Sequence, residues 1–181
     1  MPRGKRQVHQ SREYNKALHG FRLWEQALNR HVQDFKAAAA WLAKAAAQGF
    51  ADAEFNLGVC YDKGEGVAQD FAAAAAWYAK AAAQGVAAGQ YALGVCYENG
   101  KGVSQDSKAA AACYAKAAAQ GHVDAQFNLG AFYANGTGVG KNFGTAAEWY
   151  AMAAAQGDAD APAYRDFCLA CAAAAADASR G

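Results

Sequence analysis

The stretch LGVCYDKGEGVAQDFAAAAAWYAKAAAQG, residues 57–85, decides the fold because it returns twice at a fixed interval. Residues 93–121 read LGVCYENGKGVSQDSKAAAACYAKAAAQG, and residues 129–157 read LGAFYANGTGVGKNFGTAAEWYAMAAAQG, each 36 residues after the last. Blocks 51–86 and 87–122 are identical at 23 of 36 positions. A period between about 20 and 50 residues marks a repeat array. Units of such an array bury their apolar faces against their neighbours.

Each unit reads as two helices. At 100° per residue, Leu57 and Tyr61 share a face of the first helix, as do Leu93 with Tyr97 and Leu129 with Tyr133. Gly58, Gly94 and Gly130 lie beside that face, where a missing Cβ lets the partner helix approach. Asp52 and Asp124 are the expected N-caps of their helices, since a carboxylate accepts from free N–H groups and suits the positive helix end. Gly64, Gly100 and Gly136 end the first helix in the left-handed conformation that glycine adopts most easily. Gly66, Gly102 and Gly138 turn the loop back, and Asp70, Asp106 and Asn142 cap the second helix. That helix is alanine-rich, which favours it intrinsically, and stops at Gly85, Gly121 or Gly157. On it, Trp77 heads a core stripe with Ala74 and Ala81, widened by Tyr78, and Trp149 is the counterpart in the third repeat.

Outward from the three repeats the pattern decays. Laid back one period, Gly64 and Gly66 become Leu28 and Arg30, so residues 14–50 read as a degenerate N-terminal repeat, and 1–13 as a basic tail without a packed core. Residues 51–158 hold the three full repeats. Residues 159–181 lack the Leu-Gly pair and the glycine loop, and read as one closing helix capped by Asp160 with Pro162 in its first turn. The expected fold is an all-α solenoid of 36-residue helix-turn-helix repeats, three full repeats between capping half-repeats.

Composition narrows the function. A net charge of +1 predicts no specific nucleic-acid or anionic-membrane partner. Residues 1–36 carry eight Lys/Arg against three Asp/Glu, but MPRGKRQVHQSR interleaves no aromatic residue for base stacking. No apolar run fits a signal peptide or the ~18 residues of a membrane span, so a cytoplasmic setting is expected. The five cysteines lack the paired spacing of a disulfide framework. Cys60 and Cys96 sit one repeat apart, on axes roughly 8–10 Å from each other, a poor prospect for a disulfide. Cys168 and Cys171 form a CxxC without the βαβ setting of a redox motif, and no metal or cofactor set emerges. The loop GTGVGKN at 136–142 lacks the upstream glycine, the hydroxyl and the preceding strand of a phosphate loop. His9, His19, His31 and His122 form no triad pattern, so no enzyme is expected.

The string A-x-x-x-L-G-x-x-Y-x-x-G-x-G-V-x-x-D…W-Y-x-K-A-A-x-Q-G resembles the Sel-one-like repeat family, a relative of the tetratricopeptide repeat. Departures are Cys113 for the tryptophan, Met152 for the lysine and Asn142 for the aspartate. The resemblance implies a right-handed α-solenoid acting as a protein–protein adaptor, with first helices lining a concave face. A disulfide-stapled subgroup places its cysteine pair around the Gln-Gly turn, where this chain has alanine or other residues.

Residues pointing some 160° away from Leu57 and its counterparts would then line the groove. They are Phe55, Val59 and Asp62; Tyr91, Val95 and Glu98; and Phe127 with Ala131 and Ala134. Asn56 and Asn128 are their polar neighbours. The expected partner is a protein or peptide held by an aromatic ladder, one rung per repeat, with the chain a monomer or weakly self-associating. A purely structural module cut from a longer array is the alternative. A β-lactam-binding or hydrolysing enzyme, which the resemblance also admits, is the remote one.

Overall fold

A computed structural model describes residues 35–178. The tail at 1–13 and the start of the degenerate repeat, through Asp34, lie outside the described residues. Those described are helical and fall into two compact units that meet between Val86 and Ala87. The first unit contains α1 (Phe35–Ala46), α2 (Ala51–Lys63) and α3 (Phe71–Ala83). The second contains α4 (Ala87–Asn99), α5 (Ser107–Ala119), α6 (Val123–Asn135), α7 (Phe143–Ala155) and α8 (Ala161–Ala178). The hairpins α2–α3, α4–α5 and α6–α7 are the three repeats. Within the units, α1 packs on α2, α5 on α6, and α7 on α8.

The second helices start as expected. The Asp70 carboxylate accepts from Ala72 N and Ala73 N at 2.9 and 3.0 Å, and Asp106 does the same for Lys108 N and Ala109 N. Asn142 accepts from Thr145 N at 3.0 Å. The first helices do not start as expected. The cap of α2 is Phe50, with no side-chain bond, and that of α6 is His122, whose Nδ1 accepts from Ala125 N at 3.4 Å. Asp52 and Asp124 stand in the first turn instead, where they offset the helix dipole without capping. At α8 the bonding carboxylate is Asp158, which accepts from Asp160 N and Ala161 N, rather than Asp160 itself.

The loop closes by backbone. Gly64 and Gly136 adopt φ of 73° and 76°, and the N–H of each second-helix cap returns to the first helix: Asp70 to Tyr61 O, Asp106 to Tyr97 O, Asn142 to Tyr133 O. Gly138 does more. A Cβ there would lie 2.2 Å from the Ser107 carbonyl oxygen, and one at Gly66 would lie 2.0 Å from that of Phe35. Each of these loops therefore rests by bare backbone on the start of the preceding repeat's second helix.

The core knob differs from expectation by one residue. Tyr78, Tyr114 and Tyr150 are the buried rings, at 5%, 0% and 1% exposure, while Trp77 and Trp149 sit half-buried at the edge of the stripe. The cause lies across the hairpin: a Cβ at Gly58 or Gly94 would come within 2.7 Å of the tyrosine ring. The glycine makes room for the tyrosine, and the Lys80 ammonium covers the displaced Trp77 ring at 3.7 Å.

A buried polar link also recurs in every repeat. Gln84 Nε2 donates to Glu54, Gln120 Nε2 to Gln90 and Gln156 Nε2 to Gln126, each at 2.8 Å. The acceptors are 4–6% exposed, so their desolvation is offset only while the bond holds. Gln156→Ala removes the donor to the Gln126 carbonyl and is expected to cost about 1–3 kcal/mol, read as a lower urea midpoint.

Candidate partner-binding face

The expected ladder residues occupy equivalent places, each with one side on a core tyrosine. Phe55 lies 5.8 Å from Tyr78, Tyr91 5.7 Å from Tyr114, and Phe127 5.1 Å from Tyr150, ring centre to ring centre. All three are half-buried, as are Val59, Val95 and Ala131 one turn on. Phe55, Val59 and Asp62 form the group on the first unit. The second unit carries Tyr91, Val95 and Glu98 on α4, and Phe127 and Asn128 on α6. Asn56 does not join its group: it is 7% exposed and donates to the Asp52 carbonyl at 2.8 Å, which makes it a helix-internal contact.

Around Tyr91 the chemistry is polar. Its ring stacks on the His122 imidazole at 4.5 Å with 20° between planes. The Tyr114 hydroxyl donates to the Glu98 carboxylate. Burial first, then the Asp124 charge, raise the Tyr91 phenol above its usual range. Burial and the Glu98 carboxylate raise Tyr114 further. The third repeat has Ala134 where the second has Glu98, and its surroundings turn apolar.

There a cleft of about 590 Å³ opens between α6 and α8. The rings of Phe127, Tyr150, Tyr164 and Phe167 surround it, with Ala131 and Ala163 on its walls. Tyr164 sits 5.2 Å from Phe127 and stacks on Tyr150 at 5.4 Å. Tyr164 and Phe167 remain 50% and 62% exposed. Burial, with Cys168 and Tyr164 nearby, pushes the Tyr150 phenol up to about 12.

Tyr164 and Phe167 were not among the sequence candidates, although the period reaches them. One further step of 36 places Ala163 over Phe127 and Phe167 over Ala131. Large and small exchange places between neighbouring rungs, and the cleft is the space between the two large ones. The same step puts Arg165 and Asp166, paired at 2.8 Å, where earlier repeats have Leu-Gly. The cysteines are free, with Cys168 buried and Cys171 half-buried. Among the described residues, no group of three or more His, Cys, Asp or Glu is placed to hold a metal, and no helix is long and apolar enough to cross a membrane.

Two-helix units stacked at a 36-residue period, with a repeated outward row, define a helical-repeat solenoid. Sel1 repeats match residues 28–50, 51–86, 87–122 and 123–158, and the chain belongs to the Sel1 repeat family. Proteins of this family are typically interaction scaffolds and generally non-catalytic. Among solved structures, a Sel1 repeat protein from Oxalobacter formigenes is 37% identical with a TM-score of 0.73, covering 81% of this chain and 56% of its own. The protective antigen c5321 of uropathogenic Escherichia coli strains, which displays an SLR fold, is also 37% identical, with a TM-score of 0.75. That match covers 85% of this chain and 32% of the antigen, so the chain spans about half the first relative and a third of the second. Helicobacter pylori cysteine rich protein B is 28% identical, with a TM-score of 0.58 over 73% of this chain and 96% of its own. No curated protein matched the chain.

Proposed function

We propose that this chain is a non-enzymatic adaptor whose first-helix face holds a segment of a partner protein, with the α6–α8 cleft as the seat for an apolar anchor side chain. The observation that carries this reading is the cleft itself. Four aromatic rings converge around unfilled space, two of them at least half exposed, although burying that area would be favourable by about 25 cal/mol per Å². Volumes of about 300–1,000 Å³ suit a ligand or a few anchoring side chains. Phe55, Tyr91 and Phe127 supply the further contact rows on their units.

The test uses the exposed rings, which can be changed without opening the core. Affinity purification from the native cell is compared between the wild type and the Tyr164→Ser, Phe167→Ser double variant. A co-purifying protein that is lost or depleted at least tenfold with the variant, while the variant's melting temperature holds, is the expected result. Undiminished recovery of every partner would sink the cleft reading. A second reading, self-association through α8, draws on Leu169 and Phe167, which are 52% and 62% exposed. Light scattering over a concentration range separates it from the first: a strict monomer excludes it.

A further inference from the structure

We propose that the α6–α8 cleft selects a glutamate of the partner segment, next to the apolar anchor, whose carboxylate accepts a hydrogen bond from the Tyr150 hydroxyl in the slot beside Ala134. The inference rests on the adaptor reading and adds to the apolar seat the polar group that fixes which residue enters it.

The repeat defines the slot. Four residues after the glycine of the Leu-Gly pair stands Asp62 in the first repeat, Glu98 in the second and Ala134 in the third. In the second repeat, Tyr114 lies over Gly94 and donates its hydroxyl to the Glu98 carboxylate. Tyr150 lies over Gly130 in the same way, its ring 3.1 Å from where a Cβ would stand. Its hydroxyl is thereby carried toward the side of α6 that holds Ala134. The third repeat has no carboxylate there, and among the described residues the Tyr150 hydroxyl has no hydrogen-bond partner. Tyr150 is 1% exposed, and both it and Ala134 line the cleft. A buried donor without an acceptor is costly, and a ligand that brings the acceptor removes that cost.

The surroundings favour a carboxylate. Burial, with Cys168 and Tyr164 nearby, pushes the Tyr150 phenol up to about 12, so it keeps its proton at neutral pH and remains a donor. No charged side chain lines the cleft, so an entering carboxylate meets no like charge on its walls. A hydrogen bond to an ionised acceptor is stronger than one to an amide. Ala134 is half-buried and Asn135 beside it is exposed, so the carboxylate keeps part of its hydration, as the half-buried Glu98 does one repeat earlier. The third repeat takes from its partner the group that the second repeat supplies from its own chain.

The experiment needs no identified partner. The amide of N-acetyl-tryptophyl-glutamate and its tryptophyl-glutamine counterpart are titrated into the full chain and followed by NMR at the Tyr164 and Phe167 ring signals. The glutamate peptide is expected to bind at least fivefold more tightly than the glutamine peptide. Tyr150→Phe keeps the ring and removes a hydroxyl that bonds nothing in the free chain, so it should hold the wild-type melting temperature and abolish the preference. Ala134→Glu supplies the acceptor from the chain itself and should abolish the preference as well. Equal binding of the two peptides to the wild type overturns the proposal and leaves the apolar seat standing, as does a preference that survives Tyr150→Phe. Absence of any shift at Tyr164 and Phe167 with either peptide sinks the seat, and this proposal with it.

Discussion

Tyr114→Ala is expected to be among the most destabilising single changes in the chain, lowering the unfolding free energy by about 3–5 kcal/mol. The ring is fully buried. It fills the place left by Gly94 and meets Phe132 edge-on at 5.4 Å. The helices here are pinned by the Asp106 cap and the Gln120–Gln90 link, so the site collapses little and the cavity stays. Truncation also deprives Glu98 of a hydroxyl donor. Tyr114→Phe keeps the volume and loses only that bond, so its effect should be clearly smaller. Trp149→Ala, at the edge of the stripe, should also cost less than Tyr114→Ala. Urea denaturation followed by circular dichroism ranks the three. A ranking with Trp149→Ala at the top would show the tryptophan to be the central knob after all.

Gly138→Ala is the second large effect, and Gly157→Ala is its internal control. Both glycines have positive φ, 67° and 95°, so both substitutions force a residue with a Cβ into the left-handed region at about 1–2 kcal/mol. At Gly157 nothing lies within 4 Å of the new atom, and the backbone term stands alone. At Gly138 the new atom falls on the Ser107 carbonyl, with Lys108 N at 2.8 Å. Neither is the end of a flexible side chain, so the loop must lift from the preceding repeat. The overpacking adds about 1–3 kcal/mol, for a total of about 3 kcal/mol. Equal midpoints for the two variants would mean that the loop does not bear on α5.

Much of this architecture is legible in the chain because it is local. Asp70, Asp106 and Asn142 cap helices within three residues of themselves, and the left-handed glycines follow from the turn they make. The stacking of like units follows from the period. What escaped depends on which surfaces meet. Trp77 and Tyr78 are neighbours about 100° apart on one helix, and only the position of Gly58 on the facing helix decides which enters the core. The link from Gln156 to Gln126 joins residues 30 apart, while a sequence shows only that a glutamine precedes the terminating glycine. Asn56 has the spacing of a groove residue, yet its side chain turns back to Asp52. The cleft required comparing rungs across the last repeat, where Phe127 gives way to Ala163 and Ala131 to Phe167.

The contact of Gly138 with Ser107, like that of Gly66 with Phe35, has a consequence for how such a protein diversifies. Main chain meets main chain there, so the step from one second helix to the next loop is gauged by atoms that every amino acid shares. Side chains on the outward row have no part in that backbone contact. Within each unit the contact is a graduation that stays put while the marks beside it are rewritten. An alanine at 134 or a phenylalanine at 167 can be exchanged without touching that contact.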